Sequence, residues 1–162
     1  MAAKNVKKTC VIAYVIMAVL ALISLIVYMN NNSYISTAPT AKDEFFQSYN
    51  LHAQLITWLT IGGIGCAVLT VLLSLVAEQK GFVRLVTDLF RIAAPVLIIV
   101  ALAFFLSDRV DGFGYVYGSN LALGKDDAFT AGGQAIRGIV LYAVTWLVGI
   151  VSAFLSVKKK SA

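Results

Sequence analysis

The residues that could do chemistry stand at the ends of apolar runs, not inside them. Asp108 and Asp111 follow the third run and Arg137 precedes the fourth, so a carboxylate–guanidinium pair would tie two helix ends together. Losing one partner of such a pair costs about 3–5 kcal/mol when it is dry and far less when it is wet. Asp126 and Asp127 add acidity beside Asp108 and Asp111. The four lack the spaced oxygen ligands of a calcium loop. His52, the one histidine, reads as a polar anchor at a membrane edge. Asn31-Asn32-Ser33 fits a glycosylation sequon, but it abuts an apolar run and the pattern is common by chance.

The run from Gly112 to Gly118 is glycine-rich, yet no strand precedes it and no phosphate-binding helix opens after it, so nucleotide binding is not supported. Phe113, Tyr115 and Tyr117 alternate within it. They fit one edge of a short hairpin, aromatics at headgroup level, or a protein-contact surface, where aromatic side chains dominate. Cys10 and Cys66 lie at different depths and read as small packing residues, not as a disulfide. Ion-coupled transporters and pumps usually need an ionisable group inside the membrane. The apolar runs contain none, and no nucleophile–base pair is visible, so no catalytic residue, cofactor or metal ligand set is expected.

The elements that must position these residues are four. The stretch Leu55 to Val76 carries no charge, and its length matches a hydrocarbon core of roughly 30 Å at about 1.5 Å per residue. The spans are expected at about 10–29, 55–76, 89–107 and 138–157, with outer loops at 30–53 and 107–135. The third is the weakest: its uninterrupted apolar part begins at Ile92, and Arg91 must snorkel if it starts at Leu89. Pro95 would then fall in its first turns, where a missing N–H matters least. Phe82, Leu85, Val86 and Leu89 fit a helix on the membrane surface or an inward extension of span three. Cys10 to Met29 is longer than a signal-peptide core and reads as a retained span.

Composition agrees. The chain has 162 residues, 60% hydrophobic and 13% charged, against about a quarter charged in soluble domains. The fold class is an all-α four-transmembrane-helix bundle forming one domain. The net charge of +5 is not a nucleic-acid signal, because the basic residues stand at span edges. The tails and middle loop hold nine Lys/Arg and two acids; the outer loops, with Arg137, hold four and six. The positive-inside rule therefore puts both termini in the cytoplasm, in a plasma membrane.

Helices in lipid meet where small residues and hydroxyls let backbones approach. Thr60, Gly63, Ala67, Thr70 and Ser74 form such a face on span two, and Thr145, Gly149, Ser152 and Ser156 form one on span four. Spans two and four are expected to supply the central contact. The stripes correspond at an offset of 82, Gly63 with Thr145 and Ala67 with Gly149. The outer loops match at 83, Lys42-Asp43-Glu44 with Lys125-Asp126-Asp127. This reads as a tandem copy of one helical hairpin, related by an axis along the membrane normal.

The topology resembles that of claudins and tetraspanins, but there is no Trp-Gly-Leu-Trp with paired cysteines and no outer Cys-Cys-Gly, so neither family is assigned. The expected role is non-enzymatic: an auxiliary, scaffold or assembly subunit whose partners are membrane lipids and another membrane protein or a second copy. The alternative is a homo-oligomeric channel or carrier with a path lined by Thr60, Thr70, Thr145 and Ser152. Lipid or pigment binding between helices is a third.

Overall fold

A chain crossing hydrocarbon finds no water for its peptide groups, so its apolar runs must bond internally as helices. The structure, a computed structural model, describes residues 2–76 and 81–155. Its helices are α1 (Ala2–Thr37), α2 (Ala53–Val76), α3 (Phe82–Ser107), α4 (Val110–Gly118) and α5 (Asp126–Leu155). A π turn (Ala41–Phe45) follows α1 and a 3-10 turn (Asn120–Ala122) follows α4. There is no strand among the described residues. Four helices, α1, α2, α3 and α5, are long and apolar enough to cross a membrane. Ser156, Lys80, Glu78, Lys158, Lys159 and Lys160, all used in the sequence reading, lie outside the described residues.

The helices close into a ring. The broad contacts are α2 on α3 and α1 on α5; the narrower ones are α1 on α2 and α3 on α5. Spans two and four, helices α2 and α5, therefore sit on a diagonal, and the central contact expected between them is not made. The reason is steric. A missing side chain leaves a hole, and two rows of holes do not fill each other. A Cβ on Gly63 would lie 2.9 Å from Ile98 Cδ1 and 3.3 Å from the Ala94 carbonyl, both on α3. One on Gly149 would lie 2.9 Å from Met17 Cε of α1 and 2.9 Å from Pro95 Cβ of α3. The stripes receive knobs from the flanking helices.

The central core includes Tyr14, Met17, Tyr28, Ile56, Ile98, Phe105 and Tyr142. Tyr28 meets Phe105 edge-on at 4.9 Å, and Phe105 meets Tyr142 at 5.9 Å. Across that diagonal the hydroxyls of Thr60 and Tyr142 lie 2.8 Å apart.

Helix α3 starts at Phe82, so the surface-or-extension alternative resolves as an extension. Pro95 is consequently in its middle, not its first turns, and cannot donate to the Arg91 carbonyl four residues back. The Tyr14 hydroxyl of α1 donates to that carbonyl instead, at 3.2 Å. Tyr14→Phe should then cost about 1–3 kcal/mol, the usual penalty for a stranded buried acceptor. In a Pro95→Ala background, where the backbone N–H returns, the same change should be nearly neutral. Thermal melts of the four proteins in one detergent test this, and equal losses in both backgrounds would refute it.

The loops beyond the spans are helical too. Helix α1 runs on through Asn30, Asn31 and Asn32 to Thr37, and it begins at Ala2, within the stretch read as a basic tail. Helix α5 begins at Asp126, three turns before the expected span. The alternation of Phe113, Tyr115 and Tyr117 is not a hairpin edge; all three lie on α4. These pieces build a cap with its own core, including Ile35, Phe45, Phe46, Val116, Ala128 and Ala131.

Candidate functional site

Between cap and bundle lies a seam of polar residues, and Arg109 is its centre. Helix α3 ends at Ser107, and Arg109 is the residue before α4. The turn between the two helices points its side chain inward, where it is 0% exposed. Nε donates to Asn31 Oδ1 at 3.0 Å, and Nη1 donates to the Tyr49 carbonyl at 2.6 Å and the Asp108 carbonyl at 3.3 Å. Nη2 donates to Asn32 Oδ1. The guanidinium also lies 5.1 Å from the centre of the Phe105 ring. Asn31 uses the other end of its amide on the Ala131 carbonyl of α5, at 2.9 Å. One buried cation thus joins α1, the segment before α2, the α3–α4 turn and, through Asn31, α5.

None of the acceptors of Arg109 is a carboxylate. The Asp108 carboxylate is turned to His52, whose ring Nδ1 lies 2.6 Å from Oδ1 and whose backbone N–H donates to Oδ2 at 3.0 Å. The His52 ring rests 4.8 Å from that of Phe104. Burial pushes the Arg109 guanidinium down from its ordinary value to about 10, which leaves it charged at neutral pH. All three nitrogens of the guanidinium and both ends of the Asn31 amide are engaged, so the seam acts as a clamp.

The expected pairing of Asp108 or Asp111 with Arg137 is not formed. Asp108 is held by His52, and Asp111 is exposed in the first turn of α4, where a negative charge suits the helix N-terminus. Arg137 is exposed on α5 and lines a groove against α1. The acids Asp108, Asp111, Asp126 and Asp127 do not converge: no group of three or more His, Cys, Asp or Glu arranged for a metal exists among the described residues. Asn31 is buried and doubly bonded, so the sequon holding it offers no glycan acceptor in the folded chain. Cys10 is buried and Cys66 half-buried, both as free thiols.

The stripe hydroxyls are also spent internally. Thr60, Thr70, Thr145 and Ser152 are buried, and each donates to the carbonyl four residues back at 2.6–2.8 Å. Ser24 of α1 lies 3.1 Å from Thr145. Ser74 is buried beside Arg91, whose Nη2 is 3.4 Å away. Ala67 is buried in the core.

On the cap, Phe113 is half-buried between Phe46 and Tyr117, at 6.2 Å from each ring. Tyr115 and Tyr117 are half exposed. Lys125 pairs with Glu44 and rests over the Phe45 ring. A cleft of about 210 Å³ opens beside the seam, lined by Glu44, Phe46, Asp108, Asp111 and Tyr115 among others.

Fold and seam define a chain that is all-helical among the described residues, with four helices long and apolar enough to cross a membrane and a pinned helical cap. No protein-family model, curated protein or solved structure matches this chain.

Sequence reasoning missed Arg109, Asn31 and Asn32 as partners. Their signal was present: Tyr28, Asn31, Ile35 and Ala38 recur at helical spacing past the apparent end of span one, which carries the helical period across the asparagines.

Proposed function

We propose that this chain is a non-enzymatic integral membrane protein, an auxiliary or assembly subunit of a larger membrane complex. The supporting observation is the surface of the cap. Val110, Tyr115, Leu121 and Leu123 are exposed within one short stretch beyond the polar seam. Apolar side chains exposed together outside hydrocarbon mark interaction surfaces. The seam beneath fixes that surface rigidly, which lowers the ordering cost of binding. The partner is another integral membrane protein, met by the cap and by an apolar flank of the bundle.

Purification in mild detergent followed by mass spectrometry tests this reading. A specific membrane partner, lost on Leu121→Ser with Leu123→Ser, is the expected result; a lone bundle at native expression level refutes it.

The rival reading, a channel between copies lined by Thr60, Thr70, Thr145 and Ser152, needs those hydroxyls outside the bundle, and they are buried and bonded to their own helices. Liposome flux above that of empty vesicles would revive it.

Both termini belong in the cytoplasm on this proposal, supported by the uneven distribution of Lys and Arg. Labelling Lys42→Cys, which is exposed, with an impermeant thiol reagent in intact cells checks the sidedness. The two hairpins read as tandem copies. Support comes from the two broad and two narrower contacts, the pattern a twofold axis through the ring produces.

A further inference from the structure

A groove of about 630 Å³ runs between the cap ends of α1 and α5. Its polar half is formed by Asn30, Ser33, Gln134 and Arg137, and its apolar half includes Val27 and Leu141. Three observations make it more than a surface crease. First, Arg137 is a cation with no ion pair or hydrogen bond among the described residues, and Asp127, the nearest acid on its own helix, is nearly three turns (about 15 Å) away. Second, the Gln134 Oε1 is buried without a hydrogen-bond partner, an acceptor facing a missing donor. Third, the groove runs from the polar seam toward the apolar part of the two spans. Asn31, next to Asn30, bonds to Ala131 at the seam, whereas Val27 lies against Gly138 one turn deeper. From there the exposed side chains of Ile23 and Ile26 on α1 and Val140 and Val144 on α5 continue an apolar track into the span.

We infer that this groove binds a phospholipid, with its phosphate on Arg137, a headgroup hydroxyl on Gln134 Oε1 and an acyl chain along the track. A free anion would satisfy Arg137 but leave the apolar half uncovered. An alkane would do the reverse. A phosphate ester with a donor-bearing headgroup satisfies all three features, and guanidinium–phosphate pairing is charge-assisted and geometrically matched. Phosphatidylglycerol has the required hydroxyls, and phosphatidylcholine lacks any headgroup donor.

The test is native mass spectrometry of the full-length protein released from nanodiscs of equal phosphatidylglycerol and phosphatidylcholine. The protein should retain one phosphatidylglycerol in preference to phosphatidylcholine. Arg137→Gln should reduce that retention roughly tenfold, the loss of one charge-assisted contact. Gln134→Leu should narrow the discrimination between the two lipids without abolishing binding. Lys42→Gln, exposed on the cap, should change nothing. A melt of each variant confirms that the bundle is intact, since Arg137 makes no contact that folding needs. Equal retention of the two lipids by the unmodified protein, or unchanged retention by Arg137→Gln, overturns the proposal. So does displacement of the lipid by millimolar glycerol 3-phosphate, which would indicate a site for soluble anions.

Discussion

Arg109→Ala is expected to lower the stability of the protein by roughly 3–5 kcal/mol, the sum of several stranded neutral acceptors and a cavity less the cost of burying the cation. Four oxygens, Asn31 Oδ1, Asn32 Oδ1 and the Tyr49 and Asp108 carbonyls, would lose a donor in a seam that is buried at Asn31 and partly buried at Asn32 and Tyr49. Each stranded group costs about 1–3 kcal/mol. A cavity replaces the side chain as well. Against this stands the relief from holding a cation out of water, which lowers its pKa to about 10. The losses outweigh the relief because they fall on several elements at once. At about 2–4 °C per kcal/mol for a chain of this length, the midpoint should fall by roughly 6–20 °C.

Arg109→Lys should recover only part, since an ammonium is a point donor and cannot serve the fork of acceptors. The pH dependence has a definite sign. A base whose folded pKa is depressed to about 10 is almost equally protonated in both states well below that value, so this residue adds little slope between about pH 5 and 8. Above pH 10 the folded form sheds its proton first, and stability from this source rises with pH. A melt of Arg109→Ala that matches the unmodified protein would show that the seam is not a clamp.

Gly112→Ala separates two rules that predict opposite signs. Within an isolated helix the change is favourable by about 1 kcal/mol, because glycine is the poorer helix former. In the cap a Cβ at this position would overlap the Phe46 ring, which is itself buried and braced by Phe113. An aromatic ring so enclosed has nowhere to rotate. Helix α4 must lift, at about 1–3 kcal/mol or more of overpacking. Gly114→Ala, on the same helix and with open space around its Cβ position, is the control and should stabilise. Hydrogen exchange of residues 110–118 reads both directly. Faster exchange for Gly112→Ala with slower exchange for Gly114→Ala is expected; slower exchange for both would mean that propensity alone rules the cap.

These two sites also show where the sequence was transparent and where it was not. Hydrophobic length places the four spans, because a bilayer imposes one dimension on every crossing helix. For α2 the reading and the helix differ by only two residues. The cap was opaque for the opposite reason. Asn30 to Ser33 looks like the end of a span, and a stretch containing Gly112, Gly114 and Gly118 looks like a loop. Both are helical because tertiary packing overrides weak local preference. Asp126 and Asp127, followed by Ala128, Ala131 and Ala135 at helical spacing, are a legible start for α5 that the low hydropathy of the region concealed. Arg109 looked like one more charge at a membrane edge. Nothing in its neighbours along the chain announces Asn31, far away in sequence. Which helices touch was equally hidden, since a row of small residues identifies a receiving surface but not its partner.

The closed ring has a consequence for biosynthesis. A ribosome delivers α1 first and α5 last, yet the hydroxyl of Ser24 and the amide of Asn31 both find their mates on α5. Until α5 leaves the translocon, the Asn31 amide of the nascent first helix lacks its mate and the Ser24 hydroxyl is held by its own Leu20 carbonyl alone. Newborn copies truncated before the last helix should therefore cling to an insertase or be handed to a quality-control protease.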